Sequence, residues 1–169
     1  MELRTWRAPV SAEGPIPNHP SLPVLIYRGV DVDDAVGMFA AHGWGGAWTD
    51  GVFDFHHFHS TSHEALAVVA GRATLELGGP QGEAFDVVAG DVLVLPAGTG
   101  HRRAAAREGF TVVGAYPAGQ EDYDVVRQAD DADRERLRSV TLPSRIRWAV
   151  TAWLSGAPAG AARTRRSGR

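Results

Sequence analysis

Histidines are concentrated in one short stretch of the chain. Residues 55–64, FHHFHSTSHE, contain four of the seven histidines together with Glu64. In an extended strand, residues i and i+2 share a face, so His57 and His59 present two imidazoles to one point. Glu64 begins the next apolar run, EALAVVAG, from which its carboxylate can approach the same point on a neighbouring strand. Imidazoles and carboxylates that converge in this way are ligands for a divalent transition metal ion.

A third imidazole comes from a distant part of the chain. The segment PAGTGH brings in His101 behind a Pro–Gly turn, where a glycine that can adopt positive φ fixes the direction of the following side chain. Three imidazoles and one carboxylate leave one or two coordination positions for water or substrate. The expected metal ligands are His57, His59, Glu64 and His101. The metal is left open among Fe, Mn, Ni, Co, Cu and Zn, since this donor set suits each of them.

The same alternation predicts the positions of the remaining side chains near the cluster. His56 and His63 should turn away from the metal, towards the surface or a dimer interface, with support of the ligands as the alternative. Phe53 and Phe55 share the face of His57. We expect them to pack in the core of a β-barrel, with a role in the wall of a substrate site as the alternative. For the whole cluster, the alternative is a barrel that keeps these groups without a metal. That alternative is disfavoured because burying unpaired imidazoles and a carboxylate costs free energy.

Composition narrows the chemistry further. The 169 residues include no cysteine, so disulfides, thiolate nucleophiles and cysteine-based metal sites are excluded. All 17 cationic residues are arginine, which excludes a Schiff-base lysine. The net charge of −3 does not indicate a nucleic-acid partner. The N-terminus does not resemble a secretory signal and no apolar run reaches about 18 residues, so no membrane partner and a cytoplasmic location are expected.

Turn residues and the period of the apolar pattern predict the strands and helices that must position these residues. Five prolines in residues 8–23 predict an extended arm. Asp31 is expected to cap a short helix that ends at His42 and Gly43. Trp44 and Trp48 follow, and either cover the mouth of the barrel or pack against the arm.

From residue 51 onward, short apolar segments alternate with glycine turns, which predicts an antiparallel β-barrel whose last strand covers 110–116. The predicted organisation is an N-terminal arm (1–23), a barrel domain (24–120), a charged segment with a surface helix over 131–140 (121–143) and a divergent, flexible basic tail (144–169).

Two spacings in this chain resemble the motifs of the cupin superfamily. Residues 51–71 follow Gly-x5-His-x-His-x4-Glu-x6-Gly, the first cupin motif, at every defining position. Residues 90–101 follow Gly-x5-Pro-x-Gly-x2-His, the second motif, although Ala105 stands where that motif commonly ends in asparagine. Residues 15–143 resemble more narrowly the small bacterial YjlB-like cupins, an uncharacterised branch.

The resemblance implies an all-β fold, a cupin-type β-barrel (double-stranded β-helix or jelly roll) with a short N-terminal helix and a small C-terminal helical extension. It also implies a metal on the inner wall, a small-molecule ligand in the barrel and a homodimer. It does not imply one reaction. We expect a divalent-metal-binding cupin that acts as an oxygenase or isomerase on a small organic molecule. The alternative is a non-enzymatic protein that binds a sugar or small acid around a structural metal. The residues identify no separate catalytic acid–base pair.

Overall fold

The computed structural model describes residues 1–143, which fold around one antiparallel sheet of seven strands. The elements in chain order are β1 (Glu2–Trp6), β2 (Val24–Arg28), α1 (Ala35–Ala41), β3 (Trp44–Asp50), β4 (Glu64–Leu77), a 3-10 turn (Gly79–Gln81), β5 (Glu83–Val88), β6 (Val92–Leu95), β7 (His101–Pro117) and α2 (Asp131–Ser139). The strand order is β1-β2-β6-β4-β7-β3, and β5 pairs with β4. The predicted basic tail, 144–169, lies outside the described residues.

Apolar side chains cover both faces of the sheet. Along β2, Leu25 and Tyr27 belong to one buried cluster, whereas Val24 and Ile26 belong to the other. Successive side chains of a strand point to opposite faces, so an uninterrupted apolar strand such as this one needs a core on each side. Packing on both faces therefore fixes the positions of the strands and of the polar side chains at their ends.

The longest pair of strands, β4 and β7, curls until its two ends meet. Leu77 pairs with His101 at one end, 13 residues along β4 from Glu64. A flat strand would separate such ends by about 40 Å. Nevertheless, His101 Nε2 lies 3.0 Å from Glu64 Oε2. Three register shifts interrupt the β4–β7 ladder, and bulges of this kind bend a strand.

Gly71, the last residue of the first motif, lies at this bend. Its φ is +66°, and a Cβ there would come within 2.6 Å of the Arg107 carbonyl oxygen and the Phe110 nitrogen. Only glycine fits a position that combines positive φ with such a close approach of backbone. Gly71 therefore permits the curvature that brings the ligand residues together.

Two sequence-based boundaries were wrong. Asp34, not Asp31, caps α1, because the Asp34 carboxylate accepts the Gly37 N–H at 2.9 Å while Asp31 bonds only to the Asp33 N–H. The final strand begins at residue 101 instead of 110, since its first half pairs with β4 despite its polar, exposed sequence. The arm contains β1, which pairs with β2. Two other predictions are confirmed. α2 occupies the segment that was expected to form a surface helix. His42 caps α1 at its C-terminal end.

The N-terminal arm holds the turn that precedes His101. Oδ1 of buried Asn18 accepts the Gly100 N–H at 3.0 Å. The main-chain N–H of Asn18 donates to the Gly98 carbonyl at 3.0 Å. Its Nδ2 donates to the carbonyl oxygens of Gly78 (2.9 Å) and Pro9 (2.8 Å). One side chain thus ties the arm to the turn that fixes the direction of His101.

The neighbouring His19 makes the stability of the arm depend on pH. Its Nδ1 accepts the N–H groups of Ser21 and Leu22, and burial lowers its pKa to about 4 from 6.5. Between pH 6.5 and 4 the unfolded chain binds a proton that the folded chain does not, so stability falls as pH falls through this window. His63 faces His19, with ring centroids 6.4 Å apart, and burial lowers its pKa to about 3, which acts with the same sign.

We expect the stability advantage of the parent protein over His19→Gln to be largest above pH 6.5 and to shrink towards pH 4. Urea denaturation midpoints of both proteins across this range measure it. An advantage that stays constant with pH would contradict the half-buried, neutral state of His19.

Candidate metal centre

Three buried histidines converge at the inner end of the curled β4–β7 pair. One ring nitrogen from each of His57, His59 and His101 lies within 4.8 Å of the other two, and the residues are only 3%, 5% and 2% exposed. The expectation that His57 and His59 lie on an extended strand was wrong, because the segment 51–63 is not a regular strand. An isolated bridge, in which His57 and His101 exchange main-chain hydrogen bonds of 3.2 and 2.9 Å, holds it against the start of β7. Two distant parts of the sequence are thereby joined at the cluster.

Main-chain carbonyl groups orient all three rings. Nδ1 of His57 contacts the Phe55 carbonyl at 3.0 Å, Nδ1 of His101 contacts the Thr99 carbonyl at 3.0 Å, and Nδ1 of His59 contacts the Asp124 carbonyl. A carbonyl oxygen can only accept, so each Nδ1 carries the proton and donates it. The lone pair of each Nε2 is then available to a metal ion, as is usual for a metal-binding histidine.

Glu64, the first residue of β4, contacts two of these three histidines. Its Oε2 lies 3.3 Å from His59 Nε2 and 3.0 Å from His101 Nε2, and the residue is 3% exposed. Burial by itself would raise the pKa of Glu64. The adjacent His59 and the contacts with both imidazoles outweigh burial and hold that pKa well below its usual range. Glu64 is therefore a carboxylate at neutral pH.

The cluster also perturbs the histidines. Burial, reinforced by the neighbouring His101, lowers the pKa of His57 to about 3, so its imidazole is neutral at physiological pH. Burial also opposes the charged form of His59. The Glu64 carboxylate more than offsets this and raises the pKa of His59. A neutral imidazole is the form that binds metal.

The contacts between Glu64 and the imidazoles place acceptors against acceptors. With the protons on Nδ1, the lone pairs of two Nε2 atoms face Glu64 Oε2. Both His59 Nε2 and Glu64 Oε2 are buried without a hydrogen-bond partner. While the imidazoles are neutral, such contacts are repulsive unless a metal ion lies among them. Two atoms that are each about 2.1 Å from one ion lie roughly 3.0–3.4 Å apart at octahedral or tetrahedral angles, so the observed 3.0 and 3.3 Å fit a shared metal ion.

A tyrosine and a tryptophan that were not predicted as site residues fix the other oxygen of Glu64. The Tyr116 hydroxyl donates to Glu64 Oε1 at 3.0 Å and accepts from Trp48 Nε1 at 2.8 Å. The β4–β7 register places Ala65 opposite Ala115, which puts Glu64 and Tyr116 side by side. Gly114 makes room for the indole of Trp48, because a Cβ there would meet the ring at 2.3 Å.

We expect Tyr116→Phe to destabilise the protein by about 1–3 kcal/mol, because a buried carboxylate oxygen and the Trp48 N–H both lose their partner. Equilibrium denaturation measures this change. The comparison variant is Tyr123→Phe, which removes a hydroxyl that hydrogen-bonds with Tyr116 from a side chain that is 37% exposed, and its loss should be smaller because no buried carboxylate depends on that hydroxyl. Equal losses for the two variants would contradict the role of the Tyr116 hydroxyl.

A cavity of about 270 Å³ opens directly over the cluster. All four predicted ligand residues line it. The other lining side chains are mainly aromatic or aliphatic: Trp48, Val52, Phe53, Leu66, Tyr116 and Tyr123. Phe53 and Tyr123 are partly exposed, so the cavity is accessible from solvent beside them. A molecule that enters the cavity meets the imidazole and carboxylate groups.

The structure corrects the expected positions of several neighbours. Phe53 is not barrel core but lies 52% exposed at the cavity mouth, where it stacks on Phe55, because the segment that carries both is irregular. His63 is not on the surface but fully buried, and its Nδ1 accepts the Ala97 N–H at 2.9 Å. His56 is partly exposed, with Nε2 3.5 Å from Glu76.

The two tryptophans before the first motif also differ in position. Trp44 packs on Phe39 of α1, with ring centroids 6.5 Å apart, whereas Trp48 lines the cavity.

A loop after β7 forms the remaining wall of the site. Tyr123 stacks on Tyr116 with centroids 4.1 Å apart, and the carbonyl of the next residue, Asp124, orients His59. The Asp124 carboxylate accepts from the main-chain N–H groups of Ser60 (2.7 Å) and Thr61 (3.3 Å) and from both hydroxyls. The sequence contained no signal for this loop, since nothing in EDYDVV shows that it returns to residues 59–61.

Comparisons with known proteins agree with the two motifs. The cupin domain model matches residues 47–113. The uncharacterized protein YjlB of Bacillus subtilis (strain 168) is 36% identical over 142 residues, which are 83% of this chain and 86% of that protein.

Solved structures with a similar fold have low sequence identity. A DUF861 family protein from Thermotoga maritima gives a TM-score of 0.38 at 18% identity, over 56% of this chain and 98% of that one. Acireductone dioxygenase from Bacillus anthracis, with a cadmium ion in its active centre, gives 0.38 at 19% identity, over 53% and 60% of the two chains. Neither helix within residues 1–143 has the length and apolar character needed to cross a membrane.

Proposed function

Because the chain belongs to the cupin family, in the branch that contains YjlB, we propose that it is a metal-dependent enzyme acting on a small organic molecule. The ligands of a divalent transition ion would be His57, His59, Glu64 and His101. The reaction would be of the oxygenase or isomerase type. The homodimer and the cytoplasmic location expected from the sequence belong to the same proposal.

The observation that carries this proposal is the contact of Glu64 Oε2 with two imidazole nitrogens at 3.0 and 3.3 Å. Because each Nδ1 already donates to a carbonyl, no proton remains on Nε2 to relieve the contact while the imidazoles are neutral. A metal ion relieves it for both histidines and the carboxylate at once.

Access to the ligand residues supports an enzyme over a structural metal site. Structural sites are closed by protein ligands, whereas catalytic sites keep a position open to water or substrate. Here the three histidines and Glu64 all line a cavity that opens to solvent.

When bound, a divalent transition ion would supply Lewis acidity and, for a redox-active metal, chemistry with dioxygen. The protein's own groups prepare the site for it. The carbonyls of Phe55, Thr99 and Asp124 hold the Nδ1 protons, which fixes the tautomer and aims each Nε2 inward. Tyr116 and Trp48 hold the carboxylate of Glu64 in one orientation. The aromatic walls exclude water from a bound substrate.

Metal analysis followed by turnover assays tests the proposal. The purified protein should contain about one transition-metal ion per chain by elemental analysis. The Fe(II)-loaded protein should then consume oxygen with at least one member of a panel of phenols, thiols and keto acids, or isomerise it, and His57→Ala should remove that turnover. A full complement of metal without turnover on the panel would favour the non-enzymatic alternative, in which the cavity binds a sugar or small acid.

A further inference from the structure

Arg103 is a cation on the inner face of β7. It comes two residues after His101, and side chains two positions apart on a strand share a face. The residues opposite them on β4 are Leu77 and Leu75, and both leucines are fully buried. Side chains of directly paired residues lie on the same side of a sheet. Arg103 therefore projects from the face of β7 that also carries His101.

The guanidinium group of Arg103 reaches the cavity beside Gly51. Gly51 lines the cavity, and Arg103 Nη1 lies 4.0 Å from the point that a Cβ on Gly51 would occupy. The main-chain N–H of Arg103 donates to the carbonyl of Phe53, another lining residue, at 2.8 Å, which fixes this part of β7 against the cavity mouth. Because Gly51 carries no side chain, it leaves the guanidinium group access to the cavity.

Arg103 is unpaired, in contrast to two nearby arginines. In the part of the chain that the structure describes, its guanidinium group forms no ion pair and no hydrogen bond with a side chain. Arg102 donates two hydrogen bonds to Glu76, at 2.7 and 3.0 Å, and Arg127 lies over the Phe55 ring at 4.3 Å. Arg103 is nevertheless only partly exposed. A half-buried cation without a partner costs free energy, which an anionic ligand would offset.

The acidic side chains that line the cavity do not neutralise this cation. They are Asp50 and Glu64. The Asp50 carboxylate accepts the adjacent Gly51 N–H at 2.7 Å. One oxygen of Glu64 faces the imidazoles and the other accepts from the Tyr116 hydroxyl. Arg103 therefore remains available to a molecule in the cavity.

We propose that the cavity binds a small organic acid whose carboxylate group pairs with Arg103. A guanidinium group matches the two oxygens of a carboxylate with two parallel hydrogen bonds. The Cα atoms of His101 and Arg103 lie roughly 6.6–6.8 Å apart along the strand, so one small molecule can contact Arg103 and the ligand residues together. This inference rests on the proposed function, because the end of the molecule remote from its carboxylate would face the metal ion.

Two probes of matched shape test the pairing without turnover. Benzoate and benzamide have the same ring, but only benzoate carries a charge at neutral pH. Isothermal titration of the zinc-loaded parent protein should show benzoate binding about 10-fold more tightly than benzamide. Arg103→Gln should weaken benzoate binding about 10-fold and change benzamide binding less than about 2-fold, with the zinc content unchanged.

Two further variants assign the effect to the guanidinium group. Arg103→Lys keeps the charge but not the paired hydrogen bonds, so it should give an intermediate benzoate affinity. Arg107→Gln is the matched control, because it removes the same charge from an exposed position further along β7. Its benzoate affinity should equal that of the parent protein.

The outcomes separate this inference from the proposed function. Equal benzoate affinities in Arg103→Gln and the parent protein overturn the pairing, as does a parent protein that binds benzoate no more tightly than benzamide. Equal losses in Arg103→Gln and Arg107→Gln also overturn it, because the effect would then come from net charge. In each of these cases the proposed function stands if the protein holds one zinc ion. A protein that holds no metal overturns the proposed function, whereas benzoate binding that still depends on Arg103 would support the pairing.

Discussion

Replacing His57 by alanine is expected to lower the affinity for the metal ion by more than about 100-fold. The loss of groups that merely orient a ligand costs about 10- to 100-fold, and removing a ligand should cost more. The variant keeps the main-chain bridge to His101, so the change removes only the imidazole. Elemental analysis after dialysis, and competition with a chromogenic chelator, would measure the change.

His56→Ala is the matched control. It removes an adjacent imidazole that is partly exposed and points to Glu76 instead of the cluster. Its metal content should stay near that of the parent protein. If both variants kept their metal, His57 would not be a ligand. If both lost it, the effect would come from disruption of segment 51–63 and not from a missing ligand.

The second large effect is expected at Asp124, which does not enter the cavity. Its carboxylate fastens the loop to Ser60 and Thr61, and its carbonyl holds the Nδ1 proton of His59. Burial would raise the pKa of Asp124, but the hydrogen bonds from Ser60 outweigh it and lower that pKa, so the group is ionised. Asp124→Ala should release the loop and weaken metal binding about 10- to 100-fold.

Two further variants distinguish this positioning role from general destabilisation. Asp124→Asn keeps one acceptor oxygen and should give an intermediate metal affinity. Asp122→Asn alters an exposed side chain of the same loop and should leave the affinity unchanged. An Asp124→Ala protein that melts at a lower temperature yet binds the metal as tightly as the parent would assign Asp124 a purely structural role.

The all-β cupin fold was predicted from the sequence and is confirmed by the family match. Turn glycines and the period-two pattern are local signals, and they were enough to predict an antiparallel β fold from short strands. They failed where a polar segment forms a strand because it pairs with a neighbouring strand. The first half of β7, HRRAAAREG, is polar and exposed, and only its partner β4 makes it a strand. The helix cap was misplaced because Asp31 and Asp34 are equally suitable by type, and only the backbone path decides between them.

The predicted ligand residues were identified by their spacing, and the structure does bring His57, His59, Glu64 and His101 together. Their surroundings could not be read from the sequence in the same way. Tyr116, Tyr123 and Asp124 lie in segments without any motif, and their importance follows from contacts with residues more than 50 positions away.

The sequence by itself therefore determined which donor atoms are available and which kind of ion they suit, because residue type and spacing are local properties. The geometry of the centre was decided by tertiary structure. Glu64 and Leu77, the residue that pairs with His101, lie at opposite ends of β4, and only the curl of the β4–β7 pair brings His101 Nε2 to 3.0 Å from Glu64 Oε2. The cavity and its aromatic walls arise in the same way, since curvature and loop return depend on the packing of the whole sheet.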